Sequence, residues 1–498
     1  MSATPPAETT AAARRGIRTL RHPWTVEVLT EDQLERIHSA TLRVLERVGL
    51  QVRSESILRE LGAAGARIDV ATMRACLPPA MVEECMALVP PTFLMAARDP
   101  ALDLPVDGSA GYLSGDGTSA FVIDLETGLR RPSNLQDLID TTRVVDAVPE
   151  VGYLWPAVAP ADVPPHTQAV HITRTVLGNS TKHLQHNETY SRRDAQAVLE
   201  MARVVAGGDQ ALRDRPIVST YQCCISPLVY DEGPIEAAIE FARGGLPSGF
   251  ISMGIGCATA PATLAGTLVS MNAEMVGGMV IVEALAPGTP TFCGPYPTFM
   301  DLHTGSYRQD WGPEDTLLKL SFAQLAHRYQ VPINILSLDT GAKTQDWQAG
   351  VQHAVSQIAV AAAGRAEMIT GTGTLFGAAV YDNTNVILDA ELWDVICTIL
   401  EGIPVNAETL SLEAIAEVGP GGDFLAHPET LQHLRELWVP RTFGRETWEA
   451  WEEAGRPDPR VRAREEVRRI LAEHQPEPLP EDVDRELVRI IEARTAEG

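Results

Sequence analysis

The sequence predicts an α/β fold, a TIM-like (β/α)8 barrel with helical N-terminal and C-terminal extensions. Three observations carry this. From about residue 133, short apolar runs alternate with longer helix-compatible stretches, the pattern of a parallel sheet wrapped by helices. No run is followed by GxGxxG or GxxxxGK[ST], which argues against the runner-up, a doubly wound nucleotide-binding sheet. Polar and aromatic residues gather where the runs end, as they do at the C-terminal face of a barrel.

The chain has 498 residues, 45% of them hydrophobic, enough for a large core. Forty Lys and Arg against 66 Asp and Glu give a formal net charge of -26, so a nucleic-acid partner is not expected. Seven Cys show no CxxC pair and no zinc-ligand spacing, which fits reduced thiols and a cytoplasmic setting. Residues 1–28, rich in Ala, Thr and Pro, read as a disordered arm without a secretory apolar region. No stretch reaches the roughly 18 consecutive apolar residues of a membrane span. Gly, Thr, Asn and Glu274 interrupt the richest segment, 264–285, which reads as a buried helix.

Taken in order, a helical N-terminal region covers 29–105. Thr30 and Gln33 have capping-box spacing, Leu34, Ile37, Thr41, Leu45 and Val48 form one face, and Gly49 can end the helix. The barrel is assigned to 106–425. Its strand candidates are 151–158, 182–185, 216–222, 250–254, 290–294, 331–338 and 367–371, with helices expected at 193–205, 235–242, 260–283, 314–328, 348–363 and 385–400. An eighth strand is left between the Tyr112 and Phe121 segments. Residues 426–498 are charged and helical, expected to wrap the barrel or to form a subunit contact.

His183 and His186 form an HxxH, but residues three apart on a strand face opposite ways and no second pair of ligands accompanies them, so no metal is expected. Cys223 and Cys224 lack a partnering His signature and read as structural thiols. Asp339, Lys343 and Asp346 form the candidate catalytic set. They read either as a functional charge network or as a helix-start cluster held by caps and ion pairs. Aromatic residues are few, 8 Trp, 9 Tyr and 10 Phe, and several fall at strand ends, where their faces can cage a methylated ammonium. The candidate substrate-binding residues are Tyr112, His186, Glu188, Tyr221, Gln222, Tyr296, His303, Trp347, Thr370 and Phe376.

Three segments, MDLHTG at 300–305, TGAKTQDWQAG at 340–350 and VGPGGDFL at 418–425, resemble the trimethylamine methyltransferase family. SPL at 226–228, TAPATLAGTL at 259–268, NAEMVGG at 272–278 and FGRETWEAWEEAG at 443–455 extend the resemblance along nearly the whole chain. The resemblance implies a TIM-like barrel that works with a separate cognate corrinoid protein, so the corrinoid (cobalamin) would be the partner's and none would be tightly bound here. The family's founding member uses pyrrolysine. This chain is written in standard residues and so resembles the non-pyrrolysine branch, known for quaternary amines such as glycine betaine. The implied activity is transfer of a methyl group from a glycine betaine-like quaternary amine to Co(I) of the corrinoid protein. A sulfonium or other methyl donor, or a non-catalytic methylated-amine binding protein, is the alternative. No membrane partner is expected, and a homo-oligomer is. Where the family commonly reads TDSKxxDxQAG, this chain keeps Lys343, Asp346 and Gln348 but has Gly341 and Ala342, so its polar contacts in that loop differ.

Overall fold

The computed structural model describes residues 16–186, 189–308, 312–362 and 364–496. Eight parallel strands form the barrel: β1 (Tyr112–Gly115), β2 (Val151–Leu154), β3 (His183–His186), β4 (Val218–Cys223), β5 (Ser248–Ser252), β6 (Thr291–Pro295), β7 (Asn334–Leu336) and β8 (Met368–Thr372). β8 pairs with β1, and a parallel bridge between Cys293 and Ile333 joins β6 to β7, closing the ring. The seven runs expected from the sequence are β2 to β8. The eighth strand is the Tyr112 segment, whereas Phe121–Ile123 pairs with Arg130–Pro132 and Val380–Tyr381 in a small sheet beside the mouth.

Eight helices follow the strands, among them Leu135–Ala147 and Gln168–Asn179, neither anticipated. Leu264–Leu285 is long and apolar enough to cross a membrane by composition, but it is a barrel helix buried on nearly every side. Its inner face packs on β5, where Gly278 lies against the Phe250 ring. Its outer face receives the N-terminal layer: Asn272 donates to Thr41 Oγ1 at 2.9 Å, and Gly277 lies against Leu50. A helix covered on both sides needs no polar stripe.

That N-terminal layer starts with Glu31–Arg47, capped by the Thr30 and Gln33 box; Leu34, Ile37, Thr41 and Leu45 are buried as the spacing predicts, while Val48 is exposed. Three short strands follow, Leu50–Val52, Arg67–Asp69 and Arg74–Cys76. Contrary to the expected disordered arm, residues 16–20 are docked. Leu20 is fully buried and bridges Gly111, and Trp393 Nε1 donates to the Arg18 carbonyl. Residues 1–15 lie outside the described set. Ile17 and Leu104 approach Gly152 at the N-terminal end of β2, so this segment and the hairpin Phe93–Met95/Leu104–Val106 plug the base of the barrel.

Helices Pro459–Glu473 and Glu481–Ala496 wrap the barrel. Ala463, Val467 and Ile470 join the main core, and Leu487, Ile490 and Ile491 cover Val170 and Met201. Between 402 and 448 the chain is an exposed arm, on which Ile403, Leu425 and Leu431 stand largely in solvent. Residues 402–425, assigned to the barrel from the sequence, belong to this arm and supply no barrel element.

Candidate active site

Inside the barrel, alternation along each strand sends one residue in two to the axis. The axis is filled by Tyr153, Gln185, Tyr221, Phe292, Asn334 and Met368, with Asn334 Nδ2 donating to Gln185 Oε1 at 2.9 Å. The base being plugged and the middle packed, reactive chemistry is left to the mouth at the C-terminal ends of the strands.

There the aromatic groups converge. Trp155, directly after β2, stands 5.2 Å from Tyr221 and 6.5 Å from Tyr296 between ring centroids. Tyr221 in turn lies 5.1 Å from Phe292. Two glycines permit this assembly. A Cβ on Gly117 would sit 1.8 Å from Trp155 Nε1, and one on Gly294 would sit 1.4 Å from Tyr221 Oη. Tyr296, on β6's following loop, shares a 2.7 Å hydrogen bond with Thr370 Oγ1 of β8.

Beside the rings lies a group of charges. Asp116, at the end of β1, is buried and accepts from the Gly117 N–H at 2.8 Å. Burial foremost, then the Asp339 charge, push its carboxyl up to about 7 against the pull of that N–H and of Lys319. Its charge adds to burial in raising the phenols of Tyr153, Tyr221, Tyr296 and Tyr381, so all four lie within its field. Lys319, only 1% exposed, points its ammonium at Asp339 Oδ2, 3.5 Å away. One turn earlier on the same helix, buried Asp315 is pushed up to about 7 by desolvation. Trp155 Nε1, Tyr221 Oη, Ser337 Oγ, Thr372 Oγ1 and Tyr381 Oη are buried and have no protein partner among the described residues. A buried donor without a partner is costly, so these groups mark where a ligand or water completes the site.

Of the residues predicted from sequence, the structure gathers Tyr221, Tyr296, Thr370 and Asp339 at the mouth. Others stand elsewhere. Tyr112 starts β1 and donates through its hydroxyl to the Pro105 carbonyl at the plugged base. His183 faces the axis near the base, bonded to Ala96 O and Ser219 Oγ, whereas His186 turns outward to Thr173 Oγ1 at 3.0 Å, so the pair diverges. Gln222 alternates away from Tyr221 and accepts from Thr189 N–H. His303 sits exposed on the hairpin Thr298–Asp301/Ser306–Tyr307. Glu188, with Asn187 and Trp311, lies outside the described residues.

The TGAKTQDWQAG loop is mostly architectural. Asp346 caps the helix Trp347–Ser356, accepting from Ala349 N–H at 3.1 Å, and Trp347 is 86% exposed on its first turn. Lys343 donates to the Gly341 carbonyl of its own loop and lies 4.6 Å above the Phe376 ring, outside the aromatic group. Two of the family-like segments of the middle, SPL and NAEMVGG, bind each other. Glu274 of NAEMVGG accepts from Ser226 Oγ and Leu228 N–H of SPL, and from Ser252 Oγ at the end of β5.

Sequence reasoning missed Asp116, Trp155, Lys319 and Asp315. SGDGTS at 114–119 carries a signal, an acid between two glycines after a short apolar pair, but it reads equally as a turn. Trp155 follows a strand directly and was within reach of the strand-end argument that selected Tyr296.

An eight-stranded parallel barrel with its base closed and its polar and aromatic groups at the C-terminal mouth defines a TIM-barrel enzyme. The family model described as Trimethylamine methyltransferase (MTTB) matches residues 3–498. A trimethylamine methyltransferase of Desulfitobacterium hafniense is 33% identical, covering 93% of this chain and 93% of that protein. A glycine betaine methyltransferase of the same species is 28% identical, covering 94% of this chain and 97% of that protein. The monomethylamine methyltransferase of Methanosarcina barkeri has the same fold, with a TM-score of 0.52 over 89% of this chain and 87% of that one at 11% identity. The chain belongs to the trimethylamine methyltransferase family and is a methyltransferase.

Proposed function

We propose that this methyltransferase takes a methyl group from a quaternary ammonium compound and passes it to the Co(I) of a corrinoid held by a cognate partner protein. The observation that carries the reading is the grouping of Trp155, Tyr221 and Tyr296 with buried Asp116 above a sealed barrel. Aromatic faces and a carboxylate attract a cation that makes no hydrogen bonds of its own through its methyl groups.

The partner's Co(I) supplies the nucleophile. The protein holds the ammonium so that one methyl faces the open mouth, and the packed axis keeps water from its other side. When the C–N bond breaks, its electron pair stays on nitrogen and a neutral tertiary amine leaves, so no general base is required. Exposed Met253, Leu302 and Trp347 on the loops after β5, β6 and β7 suit the flat face of a corrinoid. The seven free thiols fit the reducing cytoplasm, and the apolar side chains of the 402–448 arm support assembly of several copies.

The test is demethylation followed through loss of cob(I)alamin absorbance, with choline, tetramethylammonium, glycine betaine, carnitine, trimethylamine and a sulfonium as donors. Turnover of a quaternary amine is the expected result. Turnover of the sulfonium alone would move the donor class. Silence with every donor, the cognate corrinoid protein supplied and ligand still bound, would leave a methylated-amine binding protein.

A further inference from the structure

Resting on the quaternary-amine reading, we propose that the methyl donor carries no carboxylate: its fourth arm is neutral, an alkyl or hydroxyl-bearing chain, and Asp116 with Asp339 selects against betaines. Around the aromatic group stand three carboxyl side chains, Asp116, Asp315 and Asp339, and one ammonium, Lys319. That ammonium is buried and directed at Asp339, 3.5 Å away, so it is already engaged with an acid.

The other cations near the mouth are held elsewhere. Lys343 donates to Gly341 O and covers Phe376, and Arg308 pairs with Glu314 at 3.2 Å. His303 is on the exposed hairpin. The residues outside the described set that follow β3 and β6 in the sequence, Asn187, Glu188, Gln309, Asp310 and Trp311, include no Lys, Arg or His.

Lys319 Nζ is buried without a hydrogen bond, but its charge is set against Asp339 at 3.5 Å; the rest of what the mouth offers a substrate's fourth arm is neutral. Trp155 Nε1, Tyr221 Oη, Ser337 Oγ and Thr372 Oγ1 are buried and lack protein partners. Thr372 pairs in register with Gly115, one residue before Asp116, so a neutral hydroxyl and the acid share one level of the mouth. The hydroxyl groups among these can donate to or accept from a substrate hydroxyl. A betaine carboxylate would share this space with Asp116, and at a pH well above 7, where that acid is ionised, two like charges about 5 Å apart in a medium of intermediate dielectric cost on the order of a hundredfold in affinity.

The experiment is calorimetric titration of the full chain at about pH 9, where Asp116 is ionised, without corrinoid, with choline, tetramethylammonium, glycine betaine and the uncharged isostere 3,3-dimethylbutan-1-ol. Choline and tetramethylammonium should bind about a hundredfold more tightly than glycine betaine, and Asp116→Asn should narrow that gap at least about tenfold. Glycine betaine binding as tightly as choline, with both above the uncharged isostere, would overturn the carboxylate exclusion and leave the quaternary-amine reading standing. No cation binding above the isostere would overturn that reading and the exclusion with it. The wild-type comparison decides even where the variant does not fold.

Discussion

Asp116 is a carboxyl that folding forces out of water, and its behaviour with pH follows from that. The unfolded chain ionises it near the ordinary value of 3.8, the folded chain only near 7, so folding takes up a proton in between. Its stabilising contribution is complete below about pH 4 and is lost as pH rises to about 7. Asp116→Asn should therefore gain stability over the parent across that window, levelling off above it at on the order of 4 kcal/mol, read from denaturant melts at several pH values. Cation binding runs the opposite way, because the bound cation favours the carboxylate. The Kd for tetramethylammonium should fall up to about tenfold per unit between pH 5.5 and 7 and flatten above. Asp339, Asp315 and Lys319 face the same space, so a flat profile would mean that the Lys319 ammonium outweighs the neighbouring acids and keeps Asp116 ionised throughout. Gly117→Ala tests the aromatic wall from behind. The new methyl must displace the Trp155 indole, and cation affinity should drop about tenfold, as for Trp155→Ala, while glycine betaine and choline fall together. None of this burial is visible in SGDGTS, since the same letters serve an exposed turn.

At the scale of elements, two acids illustrate opposite kinds of work. Glu274 ties the turn after β4 to the end of β5, accepting from Ser226, Ser252 and Leu228 within the core. Glu274→Ala strands those donors and should cost on the order of 3 kcal/mol in thermal or denaturant melts, more than any exposed acid. Asp346→Ala should cost about 1 kcal/mol as a lost helix cap and leave kcat nearly unchanged. A large fall in kcat without a matching loss of stability would instead restore Asp346 to the catalytic set named from the sequence. The runs that became β2 to β8 were legible because each short run is followed by a longer helix-compatible stretch, the local signature of a parallel sheet wrapped by helices. β1 was left undecided between the Tyr112 and Phe121 segments because it is four residues long with Ser114 and Gly115 among them. The helix Leu135–Ala147 escaped although its Asn134 and Asp137 capping box stands in the sequence, the same signal that located Glu31–Arg47.

Across the molecule, the two ends of the barrel are treated differently. Residues 16–20 and the 93–106 hairpin close the base, and the loops of every strand leave the mouth to the solvent or a partner. The C-terminal helices matter to this body. Glu481–Ala496 covers Val170 and Met201 and is pinned by Arg174 to Asp484 and by Arg494 to Asp194, each at 2.8 Å. A chain truncated after 475 exposes that apolar face and should melt several degrees lower and aggregate, checked by calorimetry and light scattering. An unchanged melting temperature would make the helix an appendage. By itself the sequence determined the (β/α)8 class, most of its strands, the capped N-terminal helix and the family, because periodicity, capping and ordered motifs are local properties of the chain. Tertiary structure alone decided that Tyr112 and His186 turn away from the mouth and that Asp116, Trp155, Tyr296 and Lys319 meet there. Their facing and their burial depend on strand register and on side chains up to about 200 residues distant in the chain, from β1 to the helix after β6, and no local pattern carries that information.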